Sequence, residues 1–283
     1  MENKDSILQK FRLDGKTAVV TGGAGNIGYH TARTFAEAGA RIAVVDLPRC
    51  LERSRAVARE LEETFSVKCA GYGCELTDEK AVKTLFDQIE ADLGSVDVVH
   101  NNAGVGGALA PDVEEWDAEH NMPHLDHWRQ VLDINLVSQY IVATTAVRVM
   151  IREKHGGSII NTASMAGHIV NQAPMYKTLD DSSYGVSKAG VIMMTKSLAM
   201  TLAPEIRVNS VSPGMVEGTA WYRDREGFDV DAHNARQALE IPVGRVATAE
   251  DVADTICFLL SDEGAYLTGV NIPIDGGRGE RMP

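Results

Sequence analysis

Basic side chains are in short supply in this 283-residue chain: 27 Lys and Arg face 40 Asp and Glu, for a formal net charge of −13. Such a balance argues against nucleic acid or an anionic membrane surface as a main partner, since both demand basic patches. It leaves room for an anionic cofactor, because backbone N–H groups can hold phosphate. Cysteine is also scarce. Cys50, Cys69, Cys74 and Cys257 form no C-x-x-C pair and show no metal-ligand spacing, which predicts free thiols in a reducing, cytoplasmic setting. No apolar run approaches the roughly 20 residues of a membrane span. The opening "MENKDSILQKF" lacks the apolar stretch of a secretory signal. The histidines at 120, 124 and 127 have no ligand pattern either, so no metal is expected.

What the chain does have is a full core, at 44% hydrophobic and 24% charged residues, arranged as strands alternating with helices. Apolar, β-rich runs stand at 17–21, 41–46 and 67–74, and within 96–104, 157–164, 206–214 and 269–275. Helical spacing fills 29–40, 51–64, 78–93, 126–153, 183–204 and 249–261. This alternation predicts an α/β fold, a doubly wound parallel sheet of Rossmann-like type with helices on both faces. Continuous apolar strands agree, because such a sheet is buried on both sides. Without a linker, repeat or low-complexity segment, residues 1–283 read as a single domain.

The stretch "TGGAGNIGYH", Thr21 to His30, follows the first strand and opens the first helix. It can be spelled G-x-G-x-x-G, G-x-x-G-x-x-G, or T-G-x-x-x-G-x-G with Asn26 in place of the middle glycine. In each spelling glycines let the backbone turn tightly against a pyrophosphate, and the helix N-terminus supplies N–H groups. Asp46 ends the second strand, 18 residues beyond Gly28. A carboxylate there accepts hydrogen bonds from ribose hydroxyls and repels a 2′-phosphate, so NAD is expected over NADP. Arg49 and Arg53 nearby are the groups that would favour NADP instead.

Three later segments suggest chemistry. In "YGVSK", Tyr184 and Lys188 share a helix face at i and i+4. A nearby ammonium favours the phenolate, so the tyrosine can exchange a proton with an alcohol near neutral pH. "NTAS" ends a strand in Ser164, whose hydroxyl could bond the reacting oxygen. Asn135 lies inside the long helix, where asparagine is mildly unfavourable and invites a functional reason.

Together these residues resemble the short-chain dehydrogenase/reductase family. The matching pieces are "TGGAGNIG", "VVD", "NNAG" (101–104), Asn135, "SMAG" from Ser164, "YGVSK", "VSPG" (211–214), "PVGRVATAEDVAD" (242–254) and "YLTGVNIPIDGG" (266–277), in the family's order and over nearly the whole chain. The resemblance implies Tyr184 as general acid/base and Lys188 as the group that lowers its pKa and binds the nicotinamide ribose. It further implies Ser164 as the residue that orients the carbonyl, and Asn135 as part of a proton relay to Lys188. The cofactor groove it implies runs along Gly22, Asn26, Ile27, Gly28, Asp46, Leu47, Glu75, Leu76, Asn102, Ala103, Gly104, Tyr184, Lys188, Pro213, Gly214, Val216 and Thr219. Asn26 is expected against the cofactor. A homotetramer built through the helices near 126–153 and 184–203 is implied as well.

The chain departs from the family at several points. Glu75 stands where an Asp is usual, and Gly218 holds the place of a Thr, with Thr219 next. Ser164 and Tyr184 are 20 residues apart, and the loops 104–128 and 168–183 are enlarged. These loops leave the edge where ligands bind in such sheets, which makes His168 and Tyr176 substrate candidates beside Met215 and Trp221 of a lid at 215–241. "SMAGHIVN" resembles sugar- and polyol-oxidising members. The expected function is NAD-dependent interconversion of a secondary alcohol and a ketone, with a sugar or polyol as substrate. The rivals are an apolar cyclic or steroidal alcohol, a nucleotide-sugar epimerase or dehydratase, and a non-catalytic dinucleotide sensor. The epimerase relatives usually carry a longer C-terminal domain, and a sensor would not need Ser164, Tyr184 and Lys188.

Overall fold

A computed structural model describes residues 7–106, 125–169, 182–219 and 229–280. After a one-turn helix α1 (Ile7–Lys10), seven strands alternate with helices: β1 (Thr17–Thr21), α2 (Asn26–Glu37), β2 (Arg41–Asp46), α3 (Leu51–Phe65), β3 (Cys69–Gly73), α4 (Glu79–Leu93) and β4 (Val98–Asn101) come first. The second half runs α5 (Leu125–Leu132), a π-turn (Asp133–Val137), α6 (Ser138–Glu153), β5 (Gly157–Thr162), α7 (Ser182–Leu202), β6 (Ile206–Pro213), α8 (Val230–Ala238), α9 (Ala249–Leu260) and β7 (Asn271–Ile274). The strands form one parallel sheet in the order β3-β2-β1-β4-β5-β6-β7. The fold is therefore a single-domain, doubly wound α/β sheet, as the alternation predicts.

Strand periodicity sorts the core into two layers. Ala18, Val20, Ile42, Val44, Val98 and Ile160 pack beneath α2, α3 and α9, whereas Val19, Ala43, Val45, Val99 and Ile159 pack beneath α4 and α6. Successive residues point to opposite faces, and both faces are covered, so the strands are apolar without interruption. The chain winds outward from β1 to β3, then crosses back to β4. That reversal opens a crevice beyond the carboxyl ends of β1 and β4, the place where such sheets bind ligands.

Four features of the sequence reading change. Helix α2 starts at Asn26 rather than Tyr29, so Asn26, Ile27 and Gly28 form its first turn. The 126–153 segment is interrupted by the π-turn that carries Asn135. Helix α8 lies inside the segment read as a lid; its stretch "VDAHNARQA" carries little apolar periodicity, and Asp229 caps it by accepting from the Ala232 N–H. Finally, Leu125–Glu153 is long and apolar enough by composition to cross a membrane, with a mean hydropathy of 1.4, contrary to the reading that no run approaches a span. Half of that window is buried against the sheet.

The far end of β6 is tied down by one guanidinium. Arg207 donates to the carbonyls of Leu259, Leu260 and Ser261, which close α9, and to those of Gly264 and Leu267. A cation there satisfies carbonyls that the helix leaves unpaired and meets the negative end of its dipole. Replacing Arg207 with Met keeps the apolar stem and strands these acceptors. The expected loss is about 2–4 kcal/mol in urea unfolding; a change under about 0.5 kcal/mol would mean that water serves the carbonyls equally well.

Candidate active site

The crevice is built from close backbone approaches. Gly22 directly follows β1 with φ of +63°, a left-handed conformation that favours glycine. A Cβ on Gly28 would stand 2.1 Å from the Gly22 carbonyl oxygen, so the first turn of α2 can lie on the loop only with glycine there. Gly25 precedes the helix and offers no side-chain cap. Helix N–H groups left without a side-chain partner suit a phosphate. Across the crevice, Thr21 Oγ1 accepts from the backbone N–H groups of Asn102 (2.9 Å) and Ala103 (3.1 Å). The Asn102 amide donates to the Thr21 carbonyl at 3.2 Å. Asn102 thus joins the ends of β1 and β4.

Asp46 sits at the mouth. Its Oδ2 accepts from the Ala24 N–H at 3.1 Å and its Oδ1 from the Leu47 N–H at 2.8 Å. Each oxygen keeps acceptor capacity, enough for ribose hydroxyls. The tight glycine cradle, the uncapped helix and this carboxylate fit a dinucleotide. Glu75 is turned to its own loop, where Oε1 accepts from the Thr77 hydroxyl at 2.9 Å, and Leu76 is buried.

Ser164, Tyr184 and Lys188 converge through two more glycines. Ser164 starts the short turn Met165–Gly167, and its Oγ accepts from the Ala166 N–H at 3.2 Å. A Cβ on Gly167 would lie 2.8 Å from the Ala189 nitrogen, and one on Gly185 3.0 Å from the Ala166 carbonyl oxygen. The serine turn therefore rests directly on α7 beside Tyr184 and Lys188. The Lys188 ammonium lies 5.8 Å from the Tyr184 ring centroid and donates to the Thr162 carbonyl at 2.9 Å. Burial disfavours its charge and lowers its pKa to about 8.

Asn135 is fully buried in the π-turn. Its Oδ1 accepts from the Val105 N–H at 2.8 Å; its amide donates to the Val105 carbonyl (3.0 Å) and the Ser187 hydroxyl (3.1 Å). A Cβ on Gly104 would lie 3.0 Å from Asn135 Oδ1 and 3.5 Å from Lys188 Nζ, which puts all three residues at one spot. The helix interior tolerates this asparagine because its amide serves the loop after β4.

Pro213 ends β6 buried, and the Gly214 N–H just after it donates to the Ile274 carbonyl. Val216 is buried, and its carbonyl accepts from the Thr219 hydroxyl at 3.2 Å. Met215 lines a pocket with Ile241, Val243, Ala247 and Ile274. His168 Nε2 lies 2.8 Å from the Asn271 amide and 3.2 Å from the Ser212 hydroxyl, so one ring nitrogen is committed to the sheet's edge. Tyr176 and Trp221 lie outside the described residues. His100, Gln139 and Thr162 belong to no motif in the sequence, yet all three are buried beneath the site. A histidine inside the apolar strand "VDVVHN" was the one available signal.

Asn26 has a definite task. Its amide donates to the Glu217 carbonyl at 2.7 Å, linking the first turn of α2 to the segment after β6. Asn26→Ala removes a bond worth about 0.5–1.5 kcal/mol, so the dissociation constant for the dinucleotide should rise about 2- to 10-fold. Fluorescence titration with NADH measures this; an unchanged constant would show that the link does not hold the crevice.

A family model described as Enoyl-(Acyl carrier protein) reductase matches residues 22–278. The chain is 32% identical to a probable NADP-dependent mannitol dehydrogenase of Yarrowia lipolytica, over 96% of this chain and 90% of that protein. It is 35% identical to (+)-borneol dehydrogenase 1 of Salvia officinalis, over 97% of each. The solved structure of an NAD+-bound xylitol dehydrogenase superposes with a TM-score of 0.78 at 34% identity, over 93% of this chain and 99% of that one. With the glycine loop, Ser164, Tyr184 and Lys188 in place along the same sheet, the chain belongs to the short-chain dehydrogenase/reductase family, oxidoreductases acting on alcohols and ketones.

Proposed function

We propose that the protein interconverts a polyhydroxylated secondary alcohol and its ketone with NAD. The carrying observation is a buried cation, Lys188, on the same helix face as Tyr184, with the Ser164 turn docked on that helix. The nicotinamide, when bound, supplies the hydride acceptor for oxidation or the donor for reduction. The chain supplies position and proton transfer. Lys188 favours the Tyr184 phenolate, Tyr184 takes the alcohol proton or returns it, and Ser164 orients the reacting oxygen. Asn135 holds the loop after β4 beside Lys188. The residues that would hold the dinucleotide are Gly22, Asn26, Ile27 and Gly28 at its phosphates and Asp46 at the adenosine ribose.

The cofactor preference rests on Asp46, whose carboxylate is anchored by two backbone N–H groups at the crevice mouth and would repel a 2′-phosphate. The names of the relatives point both ways, one to NADP and one to NAD+. For the substrate, the mannitol and xylitol dehydrogenases favour a polyol. The borneol dehydrogenase, together with Met165 and Met215, favours the cyclic alcohol as second reading. Exposed Val137, Tyr140, Met193 and Met200 on the π-turn, α6 and α7 support assembly as a homotetramer. Burial pushes the thiols of Cys69, Cys74 and Cys257 to about 12, 11 and 11, in keeping with unreactive cysteines in a cytoplasmic protein.

An absorbance screen with mannitol, xylitol and borneol against NAD and NADP tests the proposal. A polyol-dependent rise with NAD supports it, a rise with borneol alone supports the second reading, and binding without turnover favours a sensor. Tyr184→Phe should cut kcat by about 10³-fold or more while NADH still binds; near-normal turnover would sink the acid/base assignment. Asp46→Ala should narrow the NAD over NADP preference in kcat/KM at least tenfold, about 1.4 kcal/mol. Wild-type enzyme that uses NADPH far better than NADH would refute the cofactor reading.

A further inference from the structure

Beneath the reacting groups lies a buried tier of polar side chains that no motif singled out. Thr162, at the carboxyl end of β5, is its junction. Its carbonyl accepts from two donors, Lys188 Nζ at 2.9 Å and Gln139 Nε2 at 3.3 Å. Its hydroxyl lies 2.8 Å from His100 Nε2 on β4. Gln139 is itself held in place: its backbone carbonyl accepts from the Asn101 amide at 3.1 Å, and that amide also donates to Asn161 Oδ1 at 2.9 Å. Gln139 is 2% exposed and follows Asn135 by four residues, so α6 and the π-turn aim both side chains at one floor.

We propose that Gln139 is a positioning residue for Lys188, sharing the Thr162 carbonyl with the ammonium and setting how strongly that carbonyl holds its charge. The inference deepens the reading of Lys188 as the partner of Tyr184. One carbonyl oxygen has two lone pairs. A second donor draws on the same electron density and brings a partially positive hydrogen to the oxygen that the ammonium also uses. Gln139 therefore weakens the hold on Lys188 and assists burial in keeping its proton labile.

The surroundings are otherwise nearly free of charge. On α7, Tyr184 is the titratable neighbour, and Ser187 is neutral. The π-turn contributes Asn135 and α6 contributes Gln139, both neutral. Strand β5 presents the Thr162 carbonyl, and β4 presents His100, which burial keeps uncharged with a pKa of about 3. Among the described residues no carboxylate or guanidinium offsets the burial of Lys188. A change at Gln139 therefore acts on a single cation.

The test is a titration of Lys188 itself in protein carrying 13Cε-labelled lysine, its resonance identified by loss in Lys188→Arg. Gln139→Leu removes the competing donor and should raise the Lys188 midpoint by about half a unit or more. Gln139→Glu, nearly isosteric, places a carboxylate beside the ammonium and should raise it further; the two groups then titrate as a pair. Thr162→Val keeps the carbonyl and both donors, so it should lower the melting temperature and leave the midpoint in place. In alcohol oxidation the alkaline limb of kcat/KM should move with the midpoint. A midpoint unmoved in Gln139→Leu, or moved equally by Thr162→Val, overturns the inference. Should Gln139→Leu fail to fold, Gln139→Met, which also lacks the donor and adds no charge, decides in its place. The titration needs no turnover, so its failure is separate from failure of the Tyr184 assignment.

Discussion

One buried ammonium sets the terms for the rest of this site. Lys188 is 3% exposed and has a backbone carbonyl, not a carboxylate, as its hydrogen-bond acceptor. A cation taken out of water without a counter-ion is costly, and the cost appears as a readily lost proton. A weakly satisfied positive charge favours negative charge on a neighbouring group, and the Tyr184 ring centroid lies 5.8 Å from this ammonium. The neighbours are consistent with this balance. Asn135, Gln139, Ser187 and Thr162 are polar but neutral, so they hold geometry without neutralising the cation.

Precision in this arrangement comes from backbone contact. The serine turn and α7 touch at Gly167 and Gly185, and the first turn of α2 lies on Gly22 through Gly28. At each contact a methyl group would force the elements apart by several tenths of an ångström or more. Loops alone would leave Ser164 and Tyr184 free to drift, whereas two elements in main-chain contact cannot. The same device shapes both halves of the crevice: Gly22 and Gly28 let the first turn of α2 lie on the loop after β1, and Gly167 and Gly185 register the Ser164 turn against α7. Asn26 adds a link between the cradle and the segment after β6, so the two walls of the crevice are coupled.

Much of this was legible beforehand, for identifiable reasons. Strands buried on both faces read as apolar runs, and β1, β2 and β5 fell where β-branched residues cluster. Tyr184 and Lys188 sit at helical spacing, so their common face followed from periodicity. Asp46 was found by its place at the end of β2. Other features were hidden because their partners are far apart in the chain. Asn26 and Glu217 are 191 residues apart, and Thr162 and Lys188 are 26 apart. The π-turn left no pattern, since one extra residue in a single turn is small against the scatter of an apolar stripe. Helix α8 was missed because a short polar helix depends on its cap and on docking more than on propensity.

The sequence by itself determined the alternation of strands and helices and the place of the glycine loop, and it marked Tyr184, Lys188, Ser164 and Asp46 as candidate site residues. These rest on local periodicity and residue type. Only the tertiary structure decided which groups those side chains face. It turned Asn26 toward Glu217, tied His168 to Asn271 and Ser212, and placed Lys188 on a carbonyl shared with Gln139. Contacts of that kind arise when the sheet closes and water leaves, and buried polar groups must then find partners among whatever the packing brings near.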